Sequence, residues 1–98
     1  MYAYQMDVAQ PIEMYDRVRP EVERRVGGPL PSGCLMHMVT TTDEGFRVTE
    51  VWETQAACDR FGDEVMWKVI ADVLGPEVSA AGPPPNQDLA LHRLEQAR

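Results

Sequence analysis

The stretch Gly33–Gly62, GCLMHMVTTTDEGFRVTEVWETQAACDRFG, decides the fold. Two apolar runs flank the turn-like TTDEG, and a helix-start signal follows the second. A hairpin closed by a two-residue connection at Asp43–Glu44 pairs Thr41 with Phe46, Val39 with Val48, His37 with Glu50, and Leu35 with Trp52. This register puts Leu35, Val39, Val48 and Trp52 on one face, with His37 directly opposite Glu50. A one-residue slip would send each set to the other face, so the apolar alignment argues for this pairing. Directly opposed Cβ atoms lie about 4.5–5.5 Å apart, within reach of an imidazole–carboxylate hydrogen bond.

Outward from the hairpin, Tyr2–Val8 alternates, with Tyr2, Tyr4, Met6 and Val8 on one face, and reads as a first strand. Pro11 suits a helix start. Ile12, Tyr15, Val18, Val22 and Val26 then recur at helical spacing. Pro20 predicts a kink or break, and Gly27-Gly28-Pro29 a stop. Beyond the hairpin, Thr54 is an N-cap. Ala57, Cys58, Phe61, Val65, Val69, Ile70 and Val73 form the stripe of the second helix, which Gly62 divides and Gly75-Pro76 ends. Ser79–Asn86 reads as an extended loop and Asp88–Leu94 as a short last strand.

The order β-α-β-β-α-β predicts an α+β, ferredoxin-like fold with a four-stranded antiparallel sheet, as a single domain over residues 1–98. Strand one is expected beside strand three, strands two and four at the edges, and both helices on one face. The other face would carry Cys34, Met36, Met38 and Val51 beside Gln5, Thr49 and Arg47. A half-apolar bare face predicts a homodimer packed sheet to sheet.

The net charge of -7 excludes the lysine/arginine stripe a nucleic-acid partner needs and disfavours an anionic membrane surface. No signal-like segment opens the chain and no apolar run reaches spanning length, so a soluble cytoplasmic protein is expected. One lysine against eight arginines fits a GC-rich bacterial genome. Cys34 and Cys58 read as reduced core residues, and no cysteine–histidine spacing marks a metal site. Neither metal nor cofactor is expected.

The segment VTEVWETQAACDRF resembles the strand-to-helix signature of the antibiotic-biosynthesis-monooxygenase-like proteins, the dimeric α/β barrels. Glu50, Trp52, Glu53 and Thr54 stand where that family carries E-x-W-[E/D/K]-[S/T/D]. The resemblance implies a dimeric barrel with a pocket between sheet and helices. Haem-degrading members use an asparagine on strand one and a tryptophan and a histidine on the second helix. Tyr4 and Phe61 occupy the first two places here and no histidine falls between Val65 and Leu74, which disfavours that branch.

The expected chemistry is acid–base. His37 is the base and Glu50 fixes its tautomer, with Tyr4 as a hydrogen-bond donor. Trp52, Phe61 and Met6 are candidate substrate contacts, and Tyr15 and Arg19, four apart on the first helix, hang over the pocket mouth. His92 lies on the last strand with its face open. The substrate would be apolar, aromatic or polyketide-like. Attack of the resulting anion on oxygen gives a cofactor-independent monooxygenase, and intramolecular attack a cyclase or isomerase. A ligand-binding or structural dimer, with His37–Glu50 a buried structural pair, is the non-catalytic alternative.

Overall fold

In a computed structural model that describes residues 1–97, the chain forms strand β1 (Tyr2–Val8), helix α1 (Ile12–Val26), strands β2 (Cys34–Thr41) and β3 (Phe46–Trp52), and helix α2 (Gln55–Phe61). A π-helical turn (Gly62–Met66), helices α3 (Trp67–Leu74) and α4 (Pro76–Ala81), and strand β4 (Gln87–Leu89) complete it. The four strands make one antiparallel sheet in the order β2-β3-β1-β4, the arrangement expected of a ferredoxin-like α+β fold.

The hairpin closes as the sequence requires. Thr42 and Gly45 exchange backbone hydrogen bonds of 2.9 and 3.3 Å around Asp43–Glu44, and the Thr42 hydroxyl also accepts from the Gly45 N–H at 3.1 Å. His37 pairs with Glu50, Val39 with Val48 and Thr41 with Phe46. The expected Leu35–Trp52 pair does not form, because a β-bulge makes Leu35 the extra residue and sets Cys34 opposite Trp52. The bulge follows Gly33, whose φ of 87° few side chains tolerate and whose carbonyl binds the Glu53 N–H at 2.8 Å. Cys34 therefore joins Tyr4 and Trp52 on the helix side instead of lying on the open face.

Four other expectations need correction. Helix α1 runs unbroken through Pro20, with Val18 and Val22 buried on its inner side. Both Pro20 and Asp16, whose carbonyl loses its partner, are exposed, so water can satisfy that oxygen. Pro76 ends α3 but also starts α4, so the extended segment begins only after Ala81. Strand β4 is three residues long, Gln87–Leu89, and the stretch from Ala90 to Leu94 lies outside it. His92, exposed, sits in that stretch.

The outer sheet face is also less bare than expected. Ala3 and Val51 point away from the helices yet are each only 4% exposed. The chain after β4 returns to the opposite edge of the sheet, where the Gln96 amide donates to the Leu35 carbonyl that the bulge leaves free. Leu91 and Leu94 are half-buried along that return. Met38 remains 47% exposed and Asp7 pairs with Arg47 at 2.7 Å on the uncovered part.

Between helices and sheet the core divides into three clusters. Val18 and Val22 pack on Val69 and Ile70, joining α1 to α3. Tyr4, Cys34 and Trp52 form a second group under α2, and Val8, Phe46 and Val48 a third under the start of α1. The helices hold one another, and the sheet meets them at two ends, leaving space in the middle. Among the described residues no helix is long and apolar enough to cross a membrane.

Gly45 is the tightest point of this frame. A Cβ there would lie 2.2 Å from the Val8 carbonyl oxygen and 2.5 Å from that of Gln10, both backbone atoms that cannot swing aside. Gly45→Ala is expected to destabilise by about 1–3 kcal/mol through forced backbone displacement. A urea-unfolding midpoint indistinguishable from wild type would contradict this.

Candidate functional site

Three strands and one helix bring five polar side chains to a single point. Alternation directs Tyr4 of β1, and Glu50 and Trp52 of β3, to the helix side, and the hairpin register places His37 beside Glu50. The Glu50 carboxylate is 5% exposed and accepts from three neighbours. His37 Nδ1 lies 2.6 Å from Oε2. The Tyr4 hydroxyl and the Trp52 indole N–H both donate to Oε1, the latter at 3.0 Å. On the far side of the imidazole, the Tyr15 hydroxyl of α1 lies 2.6 Å from Nε2. Tyr15 stacks on the His37 ring, centroids 5.9 Å apart, and meets Phe46 edge-on at 5.8 Å.

The electrostatics follow from this geometry. Burial alone would raise the Glu50 carboxyl, but hydrogen bonds from His37, Tyr4 and Trp52 outweigh it and hold the group below its ordinary value. Burial, reinforced by the adjacent Glu50 charge, pushes the Tyr4 phenol far up. Burial also raises Tyr15, against the opposing charge of Arg19. The Cys34 and Cys58 thiols are lifted to about 11 and about 12, first by burial and then by Glu50, so both are protonated and poor nucleophiles. Among the described residues every buried side-chain nitrogen and oxygen has a partner.

This cluster forms one wall of a cavity of about 520 Å³ between the sheet and the helices, a size that suits a drug-sized ligand. Tyr4, Met6, Tyr15, Arg19, His37, Glu50 and Phe61 all line it. Trp52, expected as a substrate contact, does not. Its indole is fully buried, tilted against Phe61 at 5.5 Å, and supports Glu50 from behind. The Arg19 guanidinium donates to the Pro29 carbonyl at 2.6 Å. Among the described residues no three His, Cys, Asp or Glu side chains converge as a metal site.

Sequence reasoning missed part of the wall. Met14, Met66, Trp67, Val78, Pro83, Pro84 and Asn86 also line the cavity. Trp67 lies off the apolar stripe of an ideal helix, whereas Met66, three and four residues before Val69 and Ile70, lies on it. The π turn at Gly62–Met66 adds a residue to the turn ahead of Trp67 and so changes the face it occupies, and such turns recur at functional sites. Gly62 was the only local signal of that irregularity. The Tyr15–His37 bond was likewise not foreseen, because it depends on how closely α1 approaches β2. The chain matches no family model, no curated protein and no solved structure.

Because the Glu50 carboxyl titrates lower folded than unfolded, its contribution to stability is fully present above the unfolded value near 4.5 and is lost as pH falls through the folded one. Glu50→Gln cannot titrate. Urea unfolding should show wild type more stable than the variant at neutral pH, with the gap closing below pH 4.5. A gap independent of pH would refute the low carboxyl value.

Proposed function

We propose that the chain is a small-molecule enzyme that removes a proton from an apolar, aromatic or polyketide-like substrate, with the outcome of a cofactor-independent monooxygenase. The observation that carries this reading is the hydrogen-bonded relay Tyr15–His37–Glu50 on the wall of a largely apolar cavity. Glu50 holds the imidazole so that Nδ1 donates and Nε2 accepts. Nε2 can then take a proton from Tyr15 as Tyr15 takes one from the substrate, or take it directly where the substrate displaces the phenol. Tyr4 and Trp52 keep Glu50 ionised, which stabilises the imidazolium that forms.

The oxygen step is drawn from the resemblance of Val48–Phe61 to the monooxygenase-like family. An activated methylene, once deprotonated, gives its electrons to dioxygen. The carbon loses two hydrogens and gains one oxygen as a ketone, and the second oxygen leaves as water. The substrate is the reductant, so the balance needs no further electron donor. Intramolecular attack by the same anion would give a cyclase or isomerase. That every buried side-chain nitrogen and oxygen among the described residues has a partner supports non-catalytic ligand binding as the second reading.

Oxygen uptake with a panel of hydroxyarenes and activated methylene compounds tests the first reading. His37→Ala should lose about 10²–10⁴ of the rate while remaining folded. Unchanged binding of these compounds with no turnover by wild type would favour the non-catalytic reading.

The family resemblance and the exposed Met38 on the outer sheet face further support a homodimer closed sheet to sheet into an α/β barrel. Light scattering at micromolar concentration should give twice the chain mass, and Met38→Asp should halve it by placing a charge in the interface. A wild-type monomer would count against the assembly.

A further inference from the structure

We propose that the Glu50 end of the cavity is an acceptor-only site, its hydrogen-bond polarity fixed by Trp52, and that it selects ligands bearing a phenolic or enolic O–H over the same skeleton carrying an ether. The inference rests on the cavity being the substrate pocket, but it concerns recognition and is separable from turnover.

An indole N–H can only donate, so the Glu50 Oε1 it reaches at 3.0 Å must accept. The carboxyl, held low by its three donors, is ionised, so Oε2 accepts as well. His37 Nδ1, at 2.6 Å, therefore carries the proton of the neutral ring and Nε2 carries none. The Tyr15 hydroxyl must then donate to Nε2, as the Tyr4 hydroxyl donates to Oε1. Every hydrogen on these groups is directed along the chain that ends on Glu50. What Tyr4 and Tyr15 have left for a ligand is oxygen lone pairs. Of the donors elsewhere on the lining, Arg19 lies beside Tyr15 but turns its guanidinium to the Pro29 carbonyl at 2.6 Å. Asn86 precedes β4, two strands from β3, Trp67 belongs to α3, and Cys58 adds only a weak thiol donor.

A ligand that brings an O–H to this end gains a hydrogen bond, and one that brings only an ether or carbonyl oxygen meets lone pair against lone pair. Substituting Glu50 by Gln reverses the direction by the same logic. Trp52 still has to donate, so the amide oxygen must occupy the Oε1 place and the NH₂ the Oε2 place. The amide then donates to His37 Nδ1, the ring proton moves to Nε2, and the Tyr15 hydroxyl is released to donate into the cavity. Tyr15→Phe, in contrast, uncovers Nε2, which is still an acceptor.

The test is binding of 1-naphthol and 1-methoxynaphthalene, followed by NMR titration of the whole chain at mildly alkaline pH. The ether has more apolar surface, so a purely hydrophobic cavity would prefer it. Wild type should bind the naphthol roughly five- to tenfold more tightly, the ratio one net hydrogen bond supplies. Tyr15→Phe should keep that preference and Glu50→Gln should abolish it. Equal or tighter binding of the ether by wild type, loss of the preference in Tyr15→Phe, or its persistence in folded Glu50→Gln would overturn the proposal, as would failure of both compounds to bind at millimolar concentration. The wild-type and Tyr15→Phe results decide the matter even where Glu50→Gln does not fold. Preference without turnover would count against the enzyme alone, and turnover without preference against the polarity alone.

Discussion

A carboxylate taken out of water costs several kcal/mol unless donors replace its hydration, and that constraint organises the centre of this protein. Glu50 meets it with donors from three adjacent strands: Tyr4 on β1, His37 on β2 and Trp52 on its own β3. Removing any of them leaves charge or dipole unpaired at a carboxylate that is only 5% exposed. The sheet register is thereby specified twice, once by apolar alternation and once by the need to bring these donors to one carboxylate. A slipped strand would fail both requirements.

The same network shapes the space above it. Because α1 and α3 pack on each other through Val18, Val22, Val69 and Ile70, they do not have to close fully on the middle of the sheet. The Tyr15 hydroxyl reaches down from α1 to His37 and links the helix layer to the buried charge. Met66 and Trp67, at the end of the π turn, and the Pro83–Pro84 segment after α4 border the cavity. Stability and site chemistry thus share one set of atoms. Changes at Glu50 are expected to act on both, so activity has to be judged alongside folding.

The opposite face of the sheet follows from the bulge. Absorbing Leu35 as an extra residue turns Cys34 inward and frees a carbonyl at the β2 edge, which the Gln96 side chain takes up. One end of the outer face is covered in this way and the Met38 end is left open.

The sequence by itself was enough for the β-α-β-β-α-β succession, α4 excepted, and for the pairing of His37 with Glu50. Each follows from local pattern: alternation in the strands, turn chemistry at Thr42–Gly45, and the cap at Thr54 whose hydroxyl accepts from the Ala57 N–H at 3.1 Å. The candidate site was legible as far as it lay on that hairpin and its neighbour β1. Tertiary structure alone decided the rest. Whether Pro20 breaks α1 depends on packing at Val18 and Val22, which outweighs one missing hydrogen bond. Whether Trp52 touches a ligand or holds Glu50 depends on which way a buried indole turns. The Tyr15–His37 contact depends on the distance between a helix and a strand far apart in sequence. Patterns of period 2 and 3.6 report which face a residue occupies, not which neighbour its polar atom meets across a packed layer.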